Sequence, residues 1–167
     1  MDTTELERAY RQLFDVCARG QSHGFRAPAD TAEWSAEQVL AHIAANDRLL
    51  LATTAAVLGG TVPQGRPAYD NSAATVGPAL DVLARAAGGL PDLVATVRQT
   101  GRELVLLARR LEGAAAIGSI HVRIVEGGSN SGLPRVDGPV PLSGLLATHA
   151  QVHLPDHTAQ LAALSKP

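Results

Sequence analysis

The chain has 167 residues, 46% hydrophobic and 18% charged, a size and balance that suit one domain with one real core, read here as a single domain over residues 1–167. A net charge of −2, with the arginines scattered, excludes the basic stripe of a general nucleic-acid binder. The opening Met1-Asp-Thr-Thr-Glu-Leu-Glu is acidic and polar, no apolar run approaches bilayer length, and the one cysteine, Cys17, rules out an intramolecular disulfide, so a cytoplasmic protein without membrane partners is expected.

Leu6, Tyr10, Leu13 and Cys17 recur at three- and four-residue steps and predict a first helix that stops at Arg19-Gly20, with Cys17 as a buried structural thiol. A polar loop through Ala27-Pro28-Ala29-Asp30 leads to Ser35, which forms a capping box with Gln38 and starts a second helix. Val39, Leu40, Ile43, Leu50 and Val57 carry that helix to Leu58-Gly59-Gly60, and His42 lies two turns inside it. Residues 61 to 72, with Pro63, Gly65, Pro67 and Tyr69-Asp70-Asn71, read as a long crossing loop of the kind that often lines pockets.

Pro78 opens a short helix to about Ala87, and after Gly88-Gly89 a longer one starts at Pro91-Asp92 and reaches Leu111. Around Leu80, Val82 and Leu83 apolar residues face more than one side, which predicts either a cap on the bundle or a contact with a second copy in a homodimer. The β-branched alternation of Ile120-His-Val-Arg-Ile-Val125, the turn residues Glu126 to Gly132 and the resumption at Leu133-Pro-Arg-Val136 predict a β-hairpin that covers one end of the fold and can close over a ligand.

The last helix carries His149, His153 and His157, three of the six histidines, each four residues from the next. Neighbours at this spacing can aim their nitrogens at one ion. From His149 to His157 a regular helix advances roughly 12 Å and turns about 80°, so only an adjacent pair can share a metal. Spacing alone leaves both pairs open; the closing ligand comes from elsewhere, and His42 is the natural donor. Leu145, Leu146, Leu161 and Leu164 flank these histidines and predict a buried face, where unliganded imidazoles would each need a partner.

The helix with Trp34-Ser-x3-Val-Leu-x-His42, followed much later by His153-x3-His157-Thr-Ala-Gln-Leu161, resembles the DinB-like superfamily, which includes mycothiol-dependent maleylpyruvate isomerases and bacillithiol or mycothiol S-transferases. The resemblance covers most of the chain. It implies a mainly α fold, an up-down-down-up four-helix bundle here extended by a short helix and a small β-hairpin before the last helix, with zinc or nickel between the helices. It selects His42, His153 and His157 as ligands. Pro155 between the late pair removes a backbone donor and predicts a kink, which keeps the His149/His153 pair as the alternative.

Three neutral imidazoles leave a divalent ion with an open position, the catalytic pattern, suited to activating water or a thiol. The protease order His-Glu-x-x-His is absent, and Asp156 is expected to face away or orient a neighbour. The resemblance implies chemistry with a low-molecular-weight thiol such as mycothiol, acting on a small electrophilic substrate, as an S-transferase or isomerase. Arg123, Arg135 and Tyr69 are candidate contacts for the thiol's polar groups. A metal hydrolase with the same ligands, or a non-enzymatic bundle stabilised by its ion, are the alternatives.

Overall fold

A computed structural model describes residues 3–30, 33–111, 118–125 and 134–166, and among them the chain is mainly helical with one small sheet. Helix α1 (Thr4–His23) buries Leu6, Tyr10, Leu13 and Cys17 as the periodicity predicts, but it runs through Gly20. The ring of Phe25 lies where a Cβ on residue 20 would sit, so this glycine serves close packing, and the helix stops instead at Gly24, at φ 85°. Helix α2 (Ala36–Leu58) begins with the expected capping box: Ser35 Oγ accepts from the Gln38 N–H at 3.2 Å and Gln38 Oε1 from the Ser35 N–H at 2.9 Å.

The segment read as a plain crossing loop contains the two-residue strand β1 (Tyr69–Asp70) and a 3-10 turn at Ser72–Thr75. Its strand was illegible because two residues carry no alternation; what makes it a strand is pairing with a partner distant in sequence. Helices α3 (Gly77–Ala87) and α4 (Leu90–Leu111) are separate, since Gly88 and Gly89 hold φ values of 94° and 99° that no helix continues through. Within α3, Leu80 is fully buried while Val82 is 57% exposed, so one side faces the core and the other is open.

Strands β2 (Ser119–Val125) and β3 (Pro134–Pro141) pair antiparallel, and β1 adds to β2 in parallel with Tyr69 opposite Val122. The predicted hairpin is therefore present as a strand pair, within a three-stranded sheet, and β3 extends to Pro141 rather than ending near Val136. The turn expected at 126–132 lies outside the described residues. From Pro141 the chain enters α5 (Leu142–Thr148), a π-helical turn (His149–His153) and α6 (Leu154–Leu164), one after another without a break.

Helix α2 packs on α4 and α6, and α1 on α4 and α6. Leu13, Leu40, Ile43, Leu50, Leu104, Leu146 and Leu161 lie fully buried in one core, and Leu145 and Leu164 are buried with them, as the sequence predicts. No helix of the described residues is long and apolar enough to cross a membrane.

Candidate metal centre

His42 projects from the second turn of α2, while His153 and His157 stand on either side of the junction between the π turn and α6. One ligand atom from each lies within 4.8 Å of the others, and Nε2 of His42 is 2.9 Å from Nε2 of His153. The backbone explains how three histidines meet. Pro155 has no N–H to give Gln151, and the distortion is taken up before it as a wide turn in which the Leu154 N–H reaches back to the His149 carbonyl. The expected kink thus takes the form of a π turn. Each residue of such a turn advances through a smaller angle than in an α-helix, so His149, His153 and His157 line up more closely than regular geometry allows, with ring centroids 4.9 and 4.6 Å apart.

Hydrogen bonds orient the rings. The Nδ1–H of His42 donates to the carbonyl oxygen of Ala74, in the 3-10 turn after β1, and the Nδ1–H of His157 donates to Gln160 Oε1 at 3.0 Å. Both hydrogen bonds engage Nδ1 and leave Nε2 as the ligand atom, the arrangement that metal-ligating histidines use, although the Asn46 amide nitrogen also stands 3.2 Å from Nε2 of His42. Trp34 covers the group, its ring 4.8 Å from that of His42 and nearly parallel to that of His157 at 6.0 Å.

Burial, with the neighbouring His157 second, pushes His42 down to about 3. The same burial, with the adjacent histidines adding to it, holds His153 well below the imidazole range; burial lowers His157 too, against the hydrogen bond it donates to Gln160. At neutral pH the three are neutral donors, which is the state a cation requires. The donor set fits a divalent ion of imidazole preference. Ligand nitrogens around a tetrahedral ion stand about 3.3 Å apart, between the 2.9 Å that separates Nε2 of His42 from Nε2 of His153 and the 4.8 Å that bounds the group. His153 Nδ1 is buried with no hydrogen-bond partner among the described residues.

His149 stands beside the cluster but is used otherwise. Its Nε2 lies 3.0 Å from Asp47 Oδ1 and 3.3 Å from the Tyr10 hydroxyl. Asp47 is fully buried and also accepts from Tyr10 at 2.8 Å and from Thr100 at 2.9 Å, so helices α1, α2, α4 and the π turn all end on one carboxylate. Sequence reading missed this network. The available signal was Asn46-Asp47, polar residues one turn after His42 in a stretch whose neighbours Ile43 and Leu50 are core. Asn46 is the other missed residue: its amide donates to the His42 carbonyl at 2.9 Å and its Oδ1 accepts from Tyr69.

A cavity of about 540 Å³ opens over the histidines. Trp34 and Glu33 form one side, Ile124, Val125 and Arg135 of the strand pair another, and Asp156 lies at its edge rather than facing away. Asn71 braces the strand wall, its side-chain amide exchanging two hydrogen bonds with the backbone of Val125. Of the three polar contacts expected for a cofactor, only Arg135 borders this space. Tyr69 is buried with its hydroxyl on Asn46, and Arg123 is drawn onto Asp137 at 3.0 Å and Asp70 at 3.8 Å. Cys17 is buried, and that burial pushes its thiol up to about 11, as befits a structural residue. Comparison with protein-family models, with curated proteins and with solved structures finds no match to the chain.

Proposed function

We propose that the chain is a DinB-like, metal-dependent enzyme that joins or rearranges a low-molecular-weight thiol and a small electrophile, as an S-transferase or isomerase, with α1, α2, α4 and the α5–α6 helix as its four-helix bundle. The observation that carries this reading is the convergence of His42, His153 and His157 at the base of a cavity large enough for a small molecule. Three imidazoles would hold the ion, zinc or nickel by ligand preference, and the cavity side would remain open. A divalent ion bound there supplies Lewis acidity, lowering the pKa of a thiol or water at the open position.

The chain's own residues do the rest. Ala74 and Gln160 keep the His42 and His157 rings in their ligating tautomers; Trp34, Ile124 and Val125 exclude water from an apolar body; Arg135 at the strand wall gives an anionic group on thiol or substrate a place to sit. Glu33 and Asp156 at the same cavity favour one second reading, a hydrolase in which a carboxylate takes a proton from water.

The deciding experiment loads the protein with zinc or nickel and assays a chloronitroaryl electrophile with and without thiols, beside an activated ester with no thiol. Turnover that needs both metal and thiol supports the proposal. Ester cleavage without thiol supports the hydrolase, and no turnover combined with a large metal-dependent rise in Tm supports an ion that serves stability alone.

A further inference from the structure

Away from the histidines, α1 and α4 enclose an open groove of about 590 Å³, within the range of small-molecule sites. Its floor is apolar: Tyr10, Phe14, Val105 and Leu106, the last 59% exposed. Its edges carry Arg11, Arg98, Arg102 and Arg109. That is a dense gathering of positive charge in a chain of net charge −2, and it comes from two helices brought together by folding, which is why no basic run marks it in the sequence.

These four arginines are not equivalent. Arg109 is answered by Glu7 at 2.7 Å, the one acidic residue at the groove, and that contact, largest among the causes, draws the Glu7 carboxyl below its usual range. Arg98 lies over the face of Phe14, 5.0 Å from its centroid, so the guanidinium is held above the apolar floor by a cation–π contact that leaves its N–H groups unengaged. Arg102 has no hydrogen-bond or ion-pair partner among the described residues, while Arg11, without a direct contact, acts on Glu7 at longer range. An apolar trough with uncompensated guanidinium groups along it matches one kind of small molecule: an apolar body ending in an anion.

We infer that the α1–α4 groove is a binding site for an organic carboxylate with an alkyl or aryl body, the body on Phe14 and Leu106 and the carboxylate between Arg98 and Arg102. The site is separate from the histidine cavity and does not depend on the function proposed for that cavity. Gly101, between Arg98 and Arg102 in sequence, belongs to it as well, because the missing side chain lets the Tyr10 ring close the floor.

The test is titration calorimetry of the metal-free full chain with 4-phenylbutyrate, against acetate as the anion without a body and 4-phenylbutanol as the body without an anion. One-site binding of phenylbutyrate is expected, about tenfold or more tighter than either control, and weakened by about tenfold or more in the surface double variant Arg98→Gln/Arg102→Gln but not in His42→Ala. The inference is overturned by no saturable binding, by equal binding of phenylbutanol, or by binding that survives the double arginine change and is lost with His42. A dimer in sedimentation that Leu106→Glu dissolves would also overturn it, because the groove would then be a contact between copies.

Discussion

The Nε2 atom of His149 stands 3.0 Å from Asp47 Oδ1, and this pairing sets His149 apart from the other two histidines in the same line. His149 and His153 stack with centroids 4.9 Å apart, yet one is turned to a buried carboxylate and the other to His42. His153 and His157 line the cavity, and His149 does not.

Metal stoichiometry should follow that division. His42→Ala, His153→Ala and His157→Ala should each lose stoichiometric zinc or nickel while keeping the helical circular-dichroism signal, whereas His149→Ala should keep near-full occupancy and lose about 1–3 kcal/mol of stability through the donor withdrawn from Asp47. Metal analysis after dialysis, beside urea unfolding, reads both. Full occupancy in the first three variants would remove the site.

The Asp47 carboxylate should matter more to the fold than to the metal. Asp47→Ala leaves the Tyr10 and Thr100 hydroxyls and His149 without their shared acceptor in a dry core, a loss of about 3–5 kcal/mol. An unchanged unfolding midpoint would show that the network contributes no net stability.

Gly101→Ala tests a contest between two effects. Alanine is the better helix former by about 1 kcal/mol, but its Cβ would lie 2.7 Å from Cε1 of Tyr10, and displacing that ring strains the Tyr10–Asp47 hydrogen bond. The clash should win, with a net destabilisation of about 1–2 kcal/mol in thermal or urea unfolding. A more stable variant would mean the ring has room to move.

Acid should destabilise the metal-free protein through its buried imidazoles. His42 is held at about 3 in the fold against 6.5 in the open chain, so between those values the unfolded state binds a proton that the native state refuses. Stability then rises with pH across that window and is lost as pH falls from about 6.5 towards 3, at up to about 1.4 kcal/mol per pH unit for each such histidine. Urea midpoints measured from pH 7 down to pH 4 should fall continuously, and His42→Gln should flatten the slope. A profile insensitive to that substitution would refute the assignment.

Cys17 should be silent in any thiol chemistry. With its thiol pushed up to about 11 inside the core, native protein should resist a disulfide reagent at pH 8 that labels urea-unfolded chain at once. Fast native labelling would contradict its burial.

Local signals in the sequence were enough for the elements. The Ser35–Gln38 capping box and the apolar stripes of α1, α2 and α4 depend on neighbours within a turn or two, so they appear where the residues predict, whereas Gly88-Gly89 left a break and a bend both open and only their φ values decide for the break. That a late pair of histidines four residues apart could meet His42 was legible for the same reason, but spacing left His149/His153 and His153/His157 both open, and it was the family resemblance that selected the three residues that cluster, His42, His153 and His157. Tertiary structure decided the remainder. Only packing against Phe25 made Gly20 a helix interior rather than a stop, and only pairing with β2 made Tyr69–Asp70 a strand. The π turn before Pro155 set the angle between successive histidines, and a carboxylate on another helix, about a hundred residues earlier in the chain, holds His149 apart from the cluster of His42, His153 and His157. Sequence spacing fixes what one helix can present; which of those side chains meets a partner depends on elements that come together only when the chain folds.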